Sequence, residues 1–304
     1  MQDGLKRAQP PQRESDGLHM KIGMLTGIWF IAEEASLLHS LERVAALGFR
    51  YVDLHGVFHA GPQHLNEHQR RSLKSEMAAL GLTPRNYVLH PPMNIVAADD
   101  ADLEQCYTYM TQGIDLAVQW EINQIMFNSG QWVYGLDRSI AWQRSVRFWQ
   151  RVCDYAAPRG VYIAQETEPY VWYLVNDTAS ALRMREDVDR VNFVTLVDFG
   201  HMALAREGPE YLDLLADSII HAHFSDHEAF RHTNQIIGTG ITRTADYLDA
   251  LCRMNIDAQM QRFGYDELVI SFELGVPGDQ IADPDDWVRR SIQHVQQVAP
   301  YVRL

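Results

Sequence analysis

The chain has 304 residues, 46% of them apolar, and a formal net charge of −14. That is enough for one large domain with a substantial core, and the acidic surplus argues against binding a phosphate backbone. No apolar run approaches the ~20 residues that span a bilayer. Cys106, Cys153 and Cys252 lie far apart with no CxxC, as expected of reduced thiols in a cytoplasmic protein.

The first 19 residues, MQDGLKRAQPPQRESDGLH, have no apolar stretch of the kind a signal peptide carries. Their composition predicts a flexible extension over residues 1–19, with the folded domain over 20–304. Lys21–Thr26 reads as a first strand. Ser36–Leu47 is helical, with Leu37, Leu38, Leu41, Val44 and Leu47 on one stripe and Gly48 at the C-terminal turn. Tyr51–Leu54 is a second strand ending at His55. The helix Glu67–Leu80, closed by Gly81, leads to a third strand, Asn86–Leu89, followed by His90. The helix Asp102–Trp120 precedes a fourth strand, Gln124–Phe127, which ends at Asn128. The long helix Ile140–Ala157 stops at Pro158 and Gly160.

The stretch Val161–Glu168 (VYIAQETE) is the fifth strand, and it ends in carboxylates. The helix Thr178–Val188 leads to a sixth strand at Phe193–Val197. The helix Pro209–Ala216 opens on proline and leads to a seventh strand, Ile219–Phe224. The helix Ala245–Met254 and a longer link reach the eighth strand, Leu268–Phe272. The last helix starts at Asp283 and Pro284. Eight strands alternating with eight helices predict parallel pairing and closure into a single (β/α)8 barrel. An open doubly wound sheet is the rival, but no glycine-rich phosphate loop follows the first strand.

Four consecutive strands deliver ligand-type residues at their C-terminal ends: Glu166, Asp198, His223 and Glu273. In a parallel barrel those ends share one mouth. Three carboxylates and one imidazole make a hard, oxygen-rich donor set, suited to one Mn²⁺, with Mg²⁺ or Co²⁺ as alternatives. His55, His90 and Asn128 end strands two to four and face the same mouth, as candidates to bind substrate. Glu168 shares the parity of Glu166 and is a candidate to bind a hydroxyl or pair with an arginine. His221, two residues before His223, reads as a core histidine lower in the barrel. Trp132, Trp172 and Tyr173 fall in loops after strands four and five, where rings stack on a sugar or aglycone, or simply pack.

The segments AQETEP, LVDFGH, HAHFSD and ISFE resemble the signature strands of the xylose-isomerase-like TIM barrels. That superfamily includes ketose 3-epimerases, hydroxypyruvate isomerases, inosose dehydratases and apurinic endonucleases. The resemblance covers Met20 to about Ala299, and D-x-x-H and H-x-H are its most specific parts. It implies that Glu166, Asp198, His223 and Glu273 bind one divalent ion and that His201 contacts substrate. It also implies a basic substrate-binding residue after strand seven, for which Arg231 and His232 are the candidates, displaced by an insertion.

The function it implies is a sugar, keto-sugar or polyol isomerase or epimerase. Such an enzyme abstracts a proton next to a carbonyl and holds the enolate on the cation. Glu166 and Glu273, on opposite walls, are then the base and acid. The alternative is a lyase on the same chemistry, an inosose-type dehydratase or the catalytic subunit of a 3-keto C-glycoside deglycosidase. A remote alternative is an apurinic endonuclease, from RHTNQIIGTG at 231–240. Phe230 stands where that class needs an aspartate, and the net charge is wrong for DNA. The expected partner is a small sugar or glycoside-derived substrate, with no nucleic acid and no membrane. The expected assembly is a homo-oligomer, or one working with a small partner subunit.

Overall fold

A computed structural model describes residues 20–304, and the expected extension at Met1–His19 lies outside the described residues. Eight parallel strands close into a barrel in chain order. They are Met20–Leu25 (β1), Tyr51–His55 (β2), Thr83–Val88 (β3), Gln124–Asn128 (β4), Tyr162–Glu166 (β5), Phe193–Asp198 (β6), Ile219–Phe224 (β7) and Leu268–Phe272 (β8). Closure runs through β1 and β8, with Met20 opposite Leu268 and Met24 opposite Phe272.

Side chains alternate between the barrel interior and the helix layer. On β4, Phe127 packs outward on Trp149 of the helix Arg138–Ala156, with ring centroids 3.4 Å apart. On β5, the Gln165 amide donates outward to the Ala181 carbonyl at 2.7 Å. Its neighbour Glu166 therefore faces in. On β7, Phe224 packs on Phe199, so His221 and His223 share the inner face. Two bulges interrupt the register. One falls between Val52 and Asp53 opposite the Pro84–Asn86 segment, and one between Thr195 and Leu196 opposite the Ile219–His221 segment. Each bulge re-aims the residues beyond it.

The first strand and the last residues meet beneath the barrel. Ile22 donates its amide to the Arg303 carbonyl at 2.6 Å, and Arg303 returns its own to Met20 at 3.3 Å. The helix layer closes at the same seam, where Trp29 Nε1 donates to Asp285 Oδ1 at 2.9 Å and Arg43 pairs with Asp285.

The third strand begins at Thr83, three residues before its expected start, with Pro84 and Arg85 at the bulge. Pro84 has no amide to give to a ladder, and a bulge is where a strand tolerates that. The expected helix Pro209–Ala216 is instead a 3-10 turn, Pro209–Tyr211, followed by one turn at Leu212–Leu215. Among the described residues, three short helices escaped the periodicity: Gly27–Glu33, Phe199–Leu204 and Ile256–Arg262. No described helix is long and apolar enough to cross a membrane.

Candidate metal centre

Glu166, Asp198 and His223 end or nearly end β5, β6 and β7, and Glu273 follows β8. Each offers one donor atom, and the four atoms lie within 4.8 Å of one another. Glu166, Asp198 and His223 are buried, whereas the Glu273 side chain keeps 18% of its surface.

The surroundings fix one oxygen of Asp198 and one of Glu273. Asp198 Oδ1 accepts from the His201 amide at 2.9 Å and from Ser225 Oγ at 2.6 Å. The first bond caps the helix Phe199–Leu204, which accounts for the three-residue spacing in D-x-x-H. Glu273 Oε1 accepts from Asn234 Nδ2 at 3.1 Å. The other oxygens, Asp198 Oδ2 and Glu273 Oε2, are buried with no hydrogen bond. Buried carboxylate oxygens without donors are costly. The grouping of these carboxylates with Glu166 and an imidazole, one donor atom from each within 4.8 Å of the others, fits a hard divalent cation.

The imidazole of His223 is clasped by charge. Its Nδ1 lies 3.1 Å from Glu166 Oε1 and 2.9 Å from Glu273 Oε2. Burial works against the imidazolium, but Glu166, Asp53 and Glu273 outweigh it and hold His223 well above its ordinary range. Burial pushes the Glu166 carboxyl up, against the opposing pull of His223.

His201 Nδ1 donates to the Thr167 carbonyl at 2.8 Å, and its Nε2 stands 2.8 Å from His232 Nε2. Burial lowers both imidazoles, but carboxylates led by Asp198 bring His201 up to about 9. Burial and the neighbouring His201 charge bring His232 down to about 4. The proton between the rings therefore sits on His201, and His232 accepts it. His227 completes a group of three histidines within 4.8 Å. Its Nδ1 accepts from the Thr233 and Asn234 amides at 3.2 and 3.1 Å, so its Nε2 carries the proton toward Ser225 Oγ, 3.0 Å away. A relay His227→Ser225→Asp198 results.

His55 stacks on Phe58 with centroids 4.0 Å apart, and burial lowers it to about 3. His90 Nδ1 accepts from the Asn128 amide at 3.3 Å, and burial lowers it to about 4. Glu168 is half-buried above Glu166, and desolvation pushes its carboxyl up to about 8. A cavity of about 90 Å³ opens beside the cluster, lined among others by His55, Phe58, His232, Asn234, Glu273 and Leu274. Of the two basic candidates after β7, the structure brings in His232 alone. Arg231 is exposed, and among the described residues its side chain makes no hydrogen bond or ion pair with the cluster. In the loop after β5, Tyr170 and Trp172 stack 4.4 Å apart, and Tyr170 approaches His232 at 6.1 Å. Trp132 Nε1 donates to the Leu136 carbonyl at 2.6 Å, so its role there is to tie its own loop.

Sequence reasoning missed Ser225, Asp226, His227 and Asn234, all in or just after H-F-S-D, and Asp53. Asp226 is fully buried and organises the loop after β7. Its Oδ1 accepts from the His227 and Thr242 amides at 3.0 and 2.8 Å, and its Oδ2 from Gly238 and Gly240 at 2.9 and 2.8 Å. The density of Ser, Asp, His and Asn after a ligand-bearing strand was the available signal.

Residues 41–298 match the family described as xylose isomerase-like TIM barrel. No curated protein matches the chain in sequence. In three dimensions the chain is similar to D-psicose 3-epimerase with D-tagatose from Clostridium cellulolyticum H10, at TM-score 0.75 and 20% identity over 92% of this chain and 99% of that one. It is also similar to an L-ribulose 3-epimerase, at TM-score 0.73 and 20% identity over 93% and 95% of the two chains. The IOLI protein with a binding zinc atom gives TM-score 0.74 and 18% identity over 93% and 99%. At these identities the likeness is one of fold.

Proposed function

Because the chain belongs to the xylose isomerase-like TIM barrel family, we propose that it is a divalent-metal-dependent isomerase or epimerase of a sugar, keto-sugar or polyol. The observation that carries this reading is the convergence of four buried or nearly buried donor groups, Glu166, Asp198, His223 and Glu273, within 4.8 Å of one another, with Asp198 Oδ2 left without a hydrogen bond. The similar structures include 3-epimerases of the ketoses D-psicose and L-ribulose, which supports the same chemistry.

Glu166, Asp198, His223 and Glu273 would hold the ion. When bound, it supplies positive charge to the carbonyl oxygen and neighbouring hydroxyl of the substrate. The chain's own groups do the rest. Glu273 reaches the cavity and is placed to take or return a proton from one face of the carbon beside the carbonyl. Glu166, on the facing wall, serves the other face. The His201–His232 pair keeps a fixed proton at the mouth and gives a substrate oxygen a donor. Glu168, held neutral by burial, has an O–H to offer a hydroxyl. His55 and His90, neutral for the same reason, orient hydroxyls without adding charge. Mn²⁺ as the ion, self-association and a cytoplasmic setting belong to the same proposal.

A lyase outcome is the second reading, favoured by the Tyr170–Trp172 stack at the mouth, a platform larger than a bare ketose needs. The test is incubation of Mn²⁺-loaded protein with a panel of ketohexoses, ketopentoses and inososes in deuterium oxide. Carbon-bound deuterium in recovered substrate or epimer is expected. A β-eliminated product identifies the lyase. A panel recovered free of deuterium, from protein shown to hold metal, rejects the sugar reading.

A further inference from the structure

Beneath the cluster, inside the barrel, lies a second buried group: Asp53 on β2 with His221 and His223 on β7. Their donor atoms fall within 4.8 Å of one another, and all three side chains are fully buried. Asp53 Oδ2 is 2.7 Å from His221 Nε2 and 3.4 Å from His223 Nε2. Burying a carboxylate costs several kcal/mol even when it is paired. A barrel interior filled with aliphatic side chains avoids that cost, so Asp53 calls for a reason beyond packing.

The reason lies in the two nitrogens of His223. Nδ1 points toward Glu166 and Glu273, and Nε2 points down toward Asp53. A metal ligand must present a lone pair, so the imidazolium that these carboxylates favour must give up one proton as the ion binds, and the neutral ring then offers its lone pair on whichever nitrogen lost it. Glu166 and Glu273 attract the remaining proton to Nδ1, which would close the ligand position. A carboxylate on the opposite edge of the ring supplies the counterweight. His221 donates its Nε2–H to the same carboxylate and so holds it in place.

We propose that Asp53 is a positioning residue for the divalent ion. It keeps the His223 proton on Nε2 and leaves Nδ1 as the liganding nitrogen, while His221 braces Asp53. This rests on the reading of His223 as a metal ligand. Partners of this kind behind a liganding histidine raise metal affinity by ~10–100-fold.

The experiment compares wild type with Asp53→Asn, which keeps the volume and removes the charge. Equilibrium dialysis with Mn²⁺ alone should show affinity weaker by ~10–100-fold in the variant. The visible spectrum of the Co²⁺-loaded variant should shift, a change that a purely structural role would not produce in folded protein. Circular dichroism on the metal-free proteins confirms the fold. A second measurement needs no variant at Asp53. In ¹⁵N-histidine-labelled, Zn²⁺-loaded wild type, the His223 resonances (assigned by their loss in His223→Gln) should show Nε2 protonated and Nδ1 on the metal. This measurement decides alone where Asp53→Asn fails to fold. Wild-type affinity and an unchanged Co²⁺ spectrum in a folded Asp53→Asn overturn the proposal, and so does metal on Nε2. Those results leave the metal centre standing. Wild type that takes up no Mn²⁺, Co²⁺ or Zn²⁺ rejects the centre itself and this inference with it.

Discussion

Glu166 and Glu273 differ in exposure although they are the same residue type on the same rim. Glu166 is sealed at 1% exposure, and Glu273 faces the cavity. Changing either to Gln keeps one ligand oxygen and removes the basic carboxylate. Each variant should lose ~10²-fold or more in turnover, read as solvent-deuterium exchange with metal content measured in parallel. Two Gln variants that keep metal and exchange at the wild-type rate would exclude the pair, with His201 the next group to test. His59 gives a second residue-scale prediction, away from the cluster. Both of its ring nitrogens are buried without partners, it stacks on Phe30, and burial, helped by His64, lowers it to about 4. The unfolded chain takes up this proton near 6.5 and the folded one does not, so stability present above 6.5 is lost as pH falls toward 4. His59→Phe keeps the stack and removes the proton acceptor. Its melting temperature should gain on wild type progressively from pH 7 to pH 4.5, and a pH-independent difference would refute the assignment. Legibility at this scale followed position along the strand. Residues ending strands were readable because parallel strands share one mouth. Asp53, mid-strand in YVDLH, was not, because a strand with two apolar-compatible faces does not say which one points inward.

The loop after β7 is the element that completes the proposed centre. Ser225 and Asn234 fix Asp198 and Glu273, His232 meets His201, and Asp226 gathers four amides into one frame. The helix Phe199–Leu204 packs against it through Gly200, where an added Cβ would lie 2.6 Å from His227 Nε2 and overlap Ser225 Oγ. Gly200→Ala should therefore lower stability by about 1–3 kcal/mol through overpacking, measured by urea denaturation. It should also weaken Mn²⁺ binding by displacing Ser225 from Asp198. An unchanged midpoint with unchanged affinity would show that the contact relaxes freely. Element boundaries in the sequence were clearest where capping is strong. The helix Thr178–Val188 and the start at Pro284 match because Asp177 and Asp283 accept the amides of Ser180 and Asp286. The helix at Pro209 was misread because a first-turn proline suits a 3-10 turn as well as an α-helix. The loop's own shape was beyond periodicity, since a buried carboxylate collecting amides leaves no repeating apolar pattern.

At the scale of the molecule, four strands from one half of the barrel converge on the proposed ion, so binding should stabilise the whole fold. A ligand that binds only the native state adds about 2.7 kcal/mol at a hundredfold excess over its dissociation constant. At roughly 2–4 °C per kcal/mol for large domains, chelation should lower the melting temperature by about 5–10 °C, and Mn²⁺ should restore it. A chelator-insensitive transition in protein shown to lose its metal would mean that the carboxylates are satisfied without an ion. The alternation of strands and helices was legible because eight repeats average out local errors, as the misread helix after β6 shows. The seam at β1 and β8 has a further consequence. Arg303 bonds directly to Met20 and Ile22, so the first strand and the last residues are neighbours on the face opposite the mouth. In a closed ring of similar units, no strand is first except by where the backbone happens to be cut. A circular permutant that fuses Leu304 to Met20 through a short linker and reopens at Gly160, on the same lower face, should fold and bind Mn²⁺ like the parent. Such a permutant would let strands five to eight, which carry the four proposed ligands, leave the ribosome first.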